Sequence, residues 1–226
     1  MTLFLTPRRA VACALLTFTL CGQALAQSGE PDRSLNARLL VAARNADAAG
    51  VERALAQGAS INTRNRLGET PLLIALKKNE LAMAKVFLDA GADVNLAATN
   101  GVTPLMAAAY AGQAEMAATL IAKGADVASL DRLKKNAMTY AAGEGHTAIV
   151  TLLIAKGVDP NAVYHNDLTA LMWAAGYGKT ATVKALLDAG ARTEPKDNQG
   201  RSALDWARAN NHPETVRLLE TAMPKS

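Results

Sequence analysis

The sequence predicts an all-α repeat, a solenoid of about six stacked helix-turn-helix units joined by hairpin-like finger loops. Three observations predict it. Glycines close apolar runs at Gly58, Gly91, Gly124, Gly157 and Gly190, each 33 residues after the last, and self-similarity at such a period marks a stacked-repeat architecture. Apolar columns keep the same step: Ala42, Ala75, Ala108, Ala141, Ala174 and Ala207 form one, and Leu39, Leu72, Leu105, Met138, Leu171 and Leu204 form another. Two further columns run Val51, Ala84, Ala117, Val150, Val183, Val216 and Phe87, Leu120, Leu153, Leu186, Leu219. Within one period the local signals read helix, turn, helix, loop.

The third period shows why. Thr103 caps a helix through its hydroxyl, and Pro104 presets the first helical φ while lacking an N–H that would be unpaired there. That helix runs from Pro104 to about Tyr110, Gly112 breaks it, and Met116, Leu120 and Ile121 carry the next helix to Gly124, which ends it in the left-handed region. Helices of seven to nine residues fall below the ~12–15 at which isolated helices become even marginal. Stacking must supply the core, with the alanine column allowing close approach and the Leu and Phe columns filling the space between layers.

Outside the repeat, residues 1–26 read as an export signal: Arg8 and Arg9 are the basic part, Ala10 to Leu20 the apolar part, and Ala24-Leu25-Ala26 a small-residue cleavage site. Eleven apolar residues reach roughly 17 Å as a helix, short of the ~30 Å of a hydrocarbon layer, so no membrane span is expected. The route is left open: Arg8-Arg9 fits twin-arginine export poorly because Ala10-Val11-Ala12 follow, and Leu20 argues against a lipid anchor on Cys21. Residues 27–33 are a short linker. The repeat domain spans 34–221, with units at about 34–63, 64–96, 97–129, 130–162, 163–195 and 196–221, and a tail covers 222–226.

Half of the residues are apolar, which excludes wholesale disorder. Both cysteines, Cys13 and Cys21, lie in the export signal, so the mature chain has no disulfide, thiolate metal site or cysteine nucleophile. Removing Arg8 and Arg9 from the 24 basic residues leaves 22 against 20 acidic ones, a net charge of +2. An exported, cysteine-free chain without an Asn-x-Ser/Thr site suits a bacterial periplasm, with an extracellular location as the alternative.

The segments Gly68-Glu69-Thr70-Pro71-Leu72, Gly101-Val102-Thr103-Pro104-Leu105, Gly91-Ala92-Asp93-Val94-Asn95 and Gly124-Ala125-Asp126-Val127 resemble the ankyrin repeat, as does the 33-residue period. The resemblance covers about residues 34 to 221. It implies helix pairs stacked into a curved solenoid, with fingers projecting beside a concave face. The departures are informative. The family's His after Thr-Pro-Leu is replaced by Leu73, Met106, Thr139, Met172 and Asp205, which implies greasier packing and remade hydrogen bonds. Lys134 and Asp167 stand where other units have Gly68, Gly101 and Gly200, so distorted fingers are expected there. The first unit lacks Thr-Pro-Leu, and the last carries Asp205, Arg208, Asn210 and Glu220, the wetter surface of end caps.

The residues offer no reaction centre. Gly178-Lys179-Thr180 resembles the tail of a phosphate-binding loop, but Trp173 occupies the position of the required earlier glycine. His146 and His212 share one repeat position and read as surface or helix-start residues, and His165 sits in a finger. Asp93, Asp126 and Asp159 repeat along a row instead of converging as paired catalytic carboxylates do. The reading is therefore no enzyme, no cofactor and no metal.

The expected binding residues are those that vary while the framework holds. In the family, finger tips and the exposed flank of the first helix contact partners. By position these are Arg66, Leu67, Lys77 and Lys78 in the second unit, Asn100 and Tyr110 in the third, Arg132, Leu133, Lys135 and Glu144 in the fourth, and His165, Asn166 and Tyr177 in the fifth. Leu168 is expected to face solvent with them. Aromatic and arginine anchors are what protein interfaces favour. The expected function is a non-catalytic scaffold or adaptor that binds a periplasmic protein through its concave finger-and-helix face. Alternatives are a stabilising or inhibitory subunit of a periplasmic enzyme and, more remotely, a small-ligand carrier or enzyme. A monomer is expected, and nucleic acid is not an expected partner because export and the near-balance of charge both disfavour it.

Overall fold

Short polar side chains start the first helix of each inner unit. Thr70, Thr103, Asn136, Thr169 and Ser202 each accept a hydrogen bond from the amide three residues on, at 3.0–3.3 Å, taking up a donor that has no partner inside the helix. Pro71 and Pro104 fill the first helical position behind their threonine caps. The residue in place of the family's histidine reaches back. Thr139 Oγ1 accepts from Asn136 N at 3.0 Å, and the Asp205 carboxylate accepts from Ser202 N at 2.8 Å, each closing a reciprocal cap.

The computed structural model describes residues 33–223. The expected export signal, the linker up to residue 32 and the last three residues lie outside the described residues. Six helix pairs follow in order: α1 (Arg33–Arg44) and α2 (Ala48–Ala56), α3 (Pro71–Lys77) and α4 (Leu81–Asp89), α5 (Pro104–Tyr110) and α6 (Ala114–Ala122), α7 (Ala137–Glu144) and α8 (Thr147–Ala155), α9 (Ala170–Gly176) and α10 (Thr180–Asp188), and α11 (Ala203–Ala209) and α12 (Pro213–Ala222). Among the described residues there is no β-strand. The architecture is an all-helical solenoid.

Each first helix packs on the next, α1 on α3 through to α9 on α11, and among the second helices α6, α8, α10 and α12 stack in turn. The expected columns are the core. Every member of the Ala42, Leu39 and Phe87 columns is buried, and only Val216 of the Val51 column is partly exposed. Full burial of such a Leu or Phe stabilises by about 1.5–3 kcal/mol.

Polar groups tie the layers together where the core does not. The turn inside each unit passes through a left-handed residue, Ala46, Asn79, Gly112, Gly145, Gly178 or Asn211. At Gly112 (φ 72°) a Cβ would lie 2.6 Å from the His146 ring, so the space beside the ring favours glycine, although Ala46, Asn79 and Asn211 take the same conformation in other units. His146 Nε2 bonds the Tyr110 carbonyl at 2.9 Å, and His212 Nε2 bonds that of Gly176 at 3.1 Å. The two histidines thus join consecutive units, a role beyond that of a helix-start residue. Threonine hydroxyls meet between second helices, Thr147 with Thr182 at 2.8 Å and Thr180 with Thr215 at 2.9 Å.

Two backbone lines run along the loops. In the first, Asn62, Asn95 and Asn161 each accept the amide of Asp93, Asp126 and Arg192 respectively, at 2.8–2.9 Å. Ala128 stands at the same step and interrupts it. In the second, each finger is closed by one amide donating to a carbonyl four residues on, as from Asn65, Ala98, Asp131, Tyr164 and Asp197. The fourth finger is not distorted as expected: Lys134 adopts φ 59° and keeps its bond to the Asp131 carbonyl at 3.0 Å. The Asp131 carboxylate holds that turn by accepting from Leu133 N and Lys135 N, both at 2.8 Å, which offsets the roughly 1–2 kcal/mol of left-handed strain. The fifth finger does depart, with Asn166 and Asp167 both left-handed in a short 3₁₀ turn (His165–Asp167).

Candidate functional site

The finger-and-first-helix side collects the positions singled out in the sequence. Arg66, Asn100, Arg132, Glu144, His165 and Asn166 are exposed. Leu67, Tyr110, Leu133 and Tyr177 are large apolar or aromatic side chains about 60% exposed (61%, 57%, 64% and 58%). Lys135 is half-buried. Leu168 does not face solvent as expected. It packs partly buried against the core, as Val102 does at the same repeat position, because that position begins the approach to the first helix in each unit and not the finger tip.

Two of the lysines are engaged by their own fold. Lys77 pairs with Glu69 at 2.5 Å, and Lys78 Nζ donates to the Arg44 carbonyl at 2.6 Å. Burial raises the Glu69 carboxyl, but the Lys77 ammonium and the Asn65 amide outweigh it and hold the group below its ordinary value. By contrast, among the described residues no ion pair engages Arg132, Lys134 or Lys135.

Three of the hollows on this side bear on these positions. One of about 370 Å³ includes Lys77, Asn100, Tyr110 and Tyr140 in its walls. A second of about 420 Å³ opens between the fourth and fifth fingers, with Arg132, Leu133, Lys135, His165, Asn166 and Trp173 around it. A third of about 290 Å³ is a slot bounded by Trp173, Tyr177 and Trp206 and floored by Gly176. Arg66, Leu67, Lys78 and Glu144 line none of the three.

Sequence reasoning missed the side chains between these hollows. One column runs Ile74, Ala107, Tyr140, Trp173, Trp206 at the same 33-residue step, and its last three members form an aromatic row. Tyr110 meets Tyr140 edge to face (5.9 Å, 88°), and Trp173 lies parallel to Tyr177 (6.0 Å, 7°). Lys135 Nζ sits 4.3 Å from the Trp173 ring centre, and the Arg201 guanidinium 3.8 Å from that of Trp206, distances at which a ring face attracts a cation. Gly176 makes room for a ring, since a Cβ there would come 3.3 Å from Trp206, whereas at Gly143 it would meet Trp173 at an ordinary contact distance of 3.7 Å.

Two buried carboxylates fix the row. Asp131 Oδ2 accepts from the Tyr140 hydroxyl at 2.6 Å, and Asp197 Oδ2 accepts from Trp206 Nε1 at 3.1 Å. Burial, then the Asp131 carboxylate, push the Tyr140 phenol well above its ordinary value, so it remains a donor. Asp197 also holds the sixth finger, accepting from Gln199 N at 2.9 Å and Arg201 N at 2.8 Å and pairing with the Arg201 guanidinium at 2.9 Å. Burial raises the Asp197 carboxyl, and these donors more than reverse it.

No group of three or more His, Cys, Asp or Glu side chains that could hold a metal ion occurs among the described residues. None of the described helices is long and apolar enough to cross a membrane.

A rigid stack of helix pairs presenting exposed aromatics and cations on one side is the class of repeat solenoid built for display. The family model described as ankyrin repeats (3 copies) matches residues 39–131 and 138–223, most of the chain, and the chain belongs to the ankyrin-repeat family. Members of that family generally mediate protein–protein interaction. No curated protein matches the chain.

Proposed function

We propose that this chain is a non-catalytic scaffold that binds a periplasmic protein through its concave finger-and-helix face, acting as a monomer. One observation carries the reading. Of the seven aromatic residues after the export signal, six (Tyr110, Tyr140, Tyr164, Trp173, Tyr177 and Trp206) belong to fingers or to the ends and flanks of first helices, and only Phe87 is in the core. Protein interfaces concentrate Trp, Tyr and Arg in this way. A preformed stack orders few groups on binding, so little of the contact energy is lost to entropy. The export-signal pattern of residues 1–26 and the absence of cysteine after it support the compartment. The near balance of charge disfavours nucleic acid.

The test is replacement of Tyr110, Arg132, Lys135 and Tyr177 together by Ala, followed by in-cell cross-linking and identification of captured proteins. The expected result is loss of the captured protein with a melting temperature within a few degrees of the parent. Undiminished capture would reject the face.

A further inference from the structure

We infer that the hollow between the fourth and fifth fingers receives an acidic, extended segment of the partner polypeptide, with an apolar side chain of that segment entering the Trp173–Trp206 slot. This rests on the scaffold reading above and adds the chemistry of what the scaffold takes.

The hollow opens where two sets of bonds between consecutive units are both missing. Leu67 O accepts from Thr99 N at 2.9 Å, Asn100 O from Arg132 N at 2.9 Å, and Asn166 O from Asn198 N at 3.1 Å. The corresponding pair, Leu133 O and His165 N, makes no such bond. In the same interval Ala128 lacks the side chain with which Asn95 and Asn161 bridge to the following loop. Two fingers that would be stitched together are apart, leaving a backbone carbonyl and a backbone amide that an extended peptide can use.

The charge of the hollow is one-sided. Arg132, Lys134 and Lys135 fall within four residues and have no carboxylate partner among the described residues, with His165 on the facing finger. The fourth finger's own carboxylate, Asp131, is buried and committed to Leu133 N, Lys135 N and the Tyr140 hydroxyl. By contrast Lys77 is matched by Glu69 and Arg201 by Asp197. Lys134 is moreover held at φ 59°, where Gly68, Gly101 and Gly200 serve the second, third and sixth fingers without strain. What the lysine adds for that strain is a cation at the rim. Charge complementarity therefore selects carboxylates.

The polypeptide nature of the occupant follows from the adjoining slot. Its volume of about 290 Å³, with Leu168, Met172, Trp173 and Trp206 around it, suits one apolar side chain. The route from cations to slot passes along Trp173, which lines both.

The probe is a phage-displayed library of random twelve-residue peptides panned on the full-length mature chain, with selected peptides then synthesised and measured by fluorescence anisotropy. Selection is expected to enrich Asp and Glu together with one large apolar residue. Affinity is expected to fall at least about tenfold in the triple variant Arg132→Gln/Lys134→Gln/Lys135→Gln, and to weaken as salt rises from about 0.05 to 0.5 M. A control variant, Lys85→Gln/Lys156→Gln/Arg192→Gln, should leave it unchanged. Selected peptides without acidic enrichment, peptides insensitive to the triple variant, or no binders at all would each overturn the inference. So would polyphosphate or heparin competing as well as the peptides, which would reveal an unspecific anion surface. If cross-linking in cells still captures a protein through Tyr110 and Tyr177, the scaffold reading survives the loss of this one; if neither peptides nor proteins are captured, both fail.

Discussion

The first three units and the last three share one core and differ in what they display. Behind the surface, Leu72 and Leu171, Ala75 and Ala174, and Phe87 and Leu186 are equally buried members of the same columns. On the surface, the column that offers Ile74 and Ala107 in the N-terminal half becomes Tyr140, Trp173 and Trp206 in the C-terminal half. The N-terminal Lys77 is neutralised by Glu69, whereas Arg132, Lys134 and Lys135 are not paired. Frame and display are thus set by separate positions, and a solenoid can change one without repacking the other, since each repeat touches only its neighbours.

Two substitutions break or sharpen that contrast. The larger effect is expected at Asp197, which orients Trp206 and closes the sixth finger. Asp197→Ala should destabilise by about 2 kcal/mol, with the midpoint of urea unfolding falling while its slope holds. The same carboxylate predicts an acid response. Its folded-state value is held below the unfolded one, so the unfolded chain binds the extra proton. The stabilisation is complete above about pH 4 and is lost as pH falls through the lower folded value. Tryptophan fluorescence should report this loss in the parent, and Asp197→Asn should flatten it. An acid limb as steep in the variant as in the parent would assign the response to other groups.

The smaller effect is expected at the seam. Ala128→Asn restores the missing rung, with the new side chain placed as Asn95 and Asn161 are, to accept from Asp159 N. A gain of about 0.5–1.5 kcal/mol follows from a hydrogen bond made without burying a new unpaired group. Slower amide exchange at Asp159 would show that the rung has formed. No gain and no protection would mean that the loops diverge for a reason other than Ala128.

Most of the frame was legible in the sequence because it repeats. A residue type recurring at a fixed step identifies its own environment, as the Ala42 and Leu39 columns do, and the Thr-Pro caps and closing glycines bound the helices to within a residue or two. The display was only partly legible. Tyr110, Arg132, Leu133, His165 and Tyr177 stand out as departures at exposed positions, but the Tyr140, Trp173, Trp206 column shares no residue type with Ile74 and Ala107, so periodicity gives no hint of it. Side-chain pairings were hidden for a different reason. Lys77 finds Glu69 across the junction of finger and helix, and the His146 ring finds a backbone carbonyl 36 residues away; both depend on packing distances that no local pattern encodes. Lys134 misled because a non-glycine at a glycine position signals distortion, and only the Asp131 carboxylate beneath it shows why the turn survives.

Recognition is proposed to belong to one side of the stack and to be concentrated in its C-terminal half. Photo-cross-linking in intact cells from single positions tests it most directly, placing the reactive side chain in turn at Tyr177 and Leu133 on the finger side and at Lys85 and Lys156 on the second-helix side. One shared protein adduct is expected from Tyr177 and Leu133 and none of it from Lys85 or Lys156. The same adduct from the second-helix positions, or from all four equally, would contradict it.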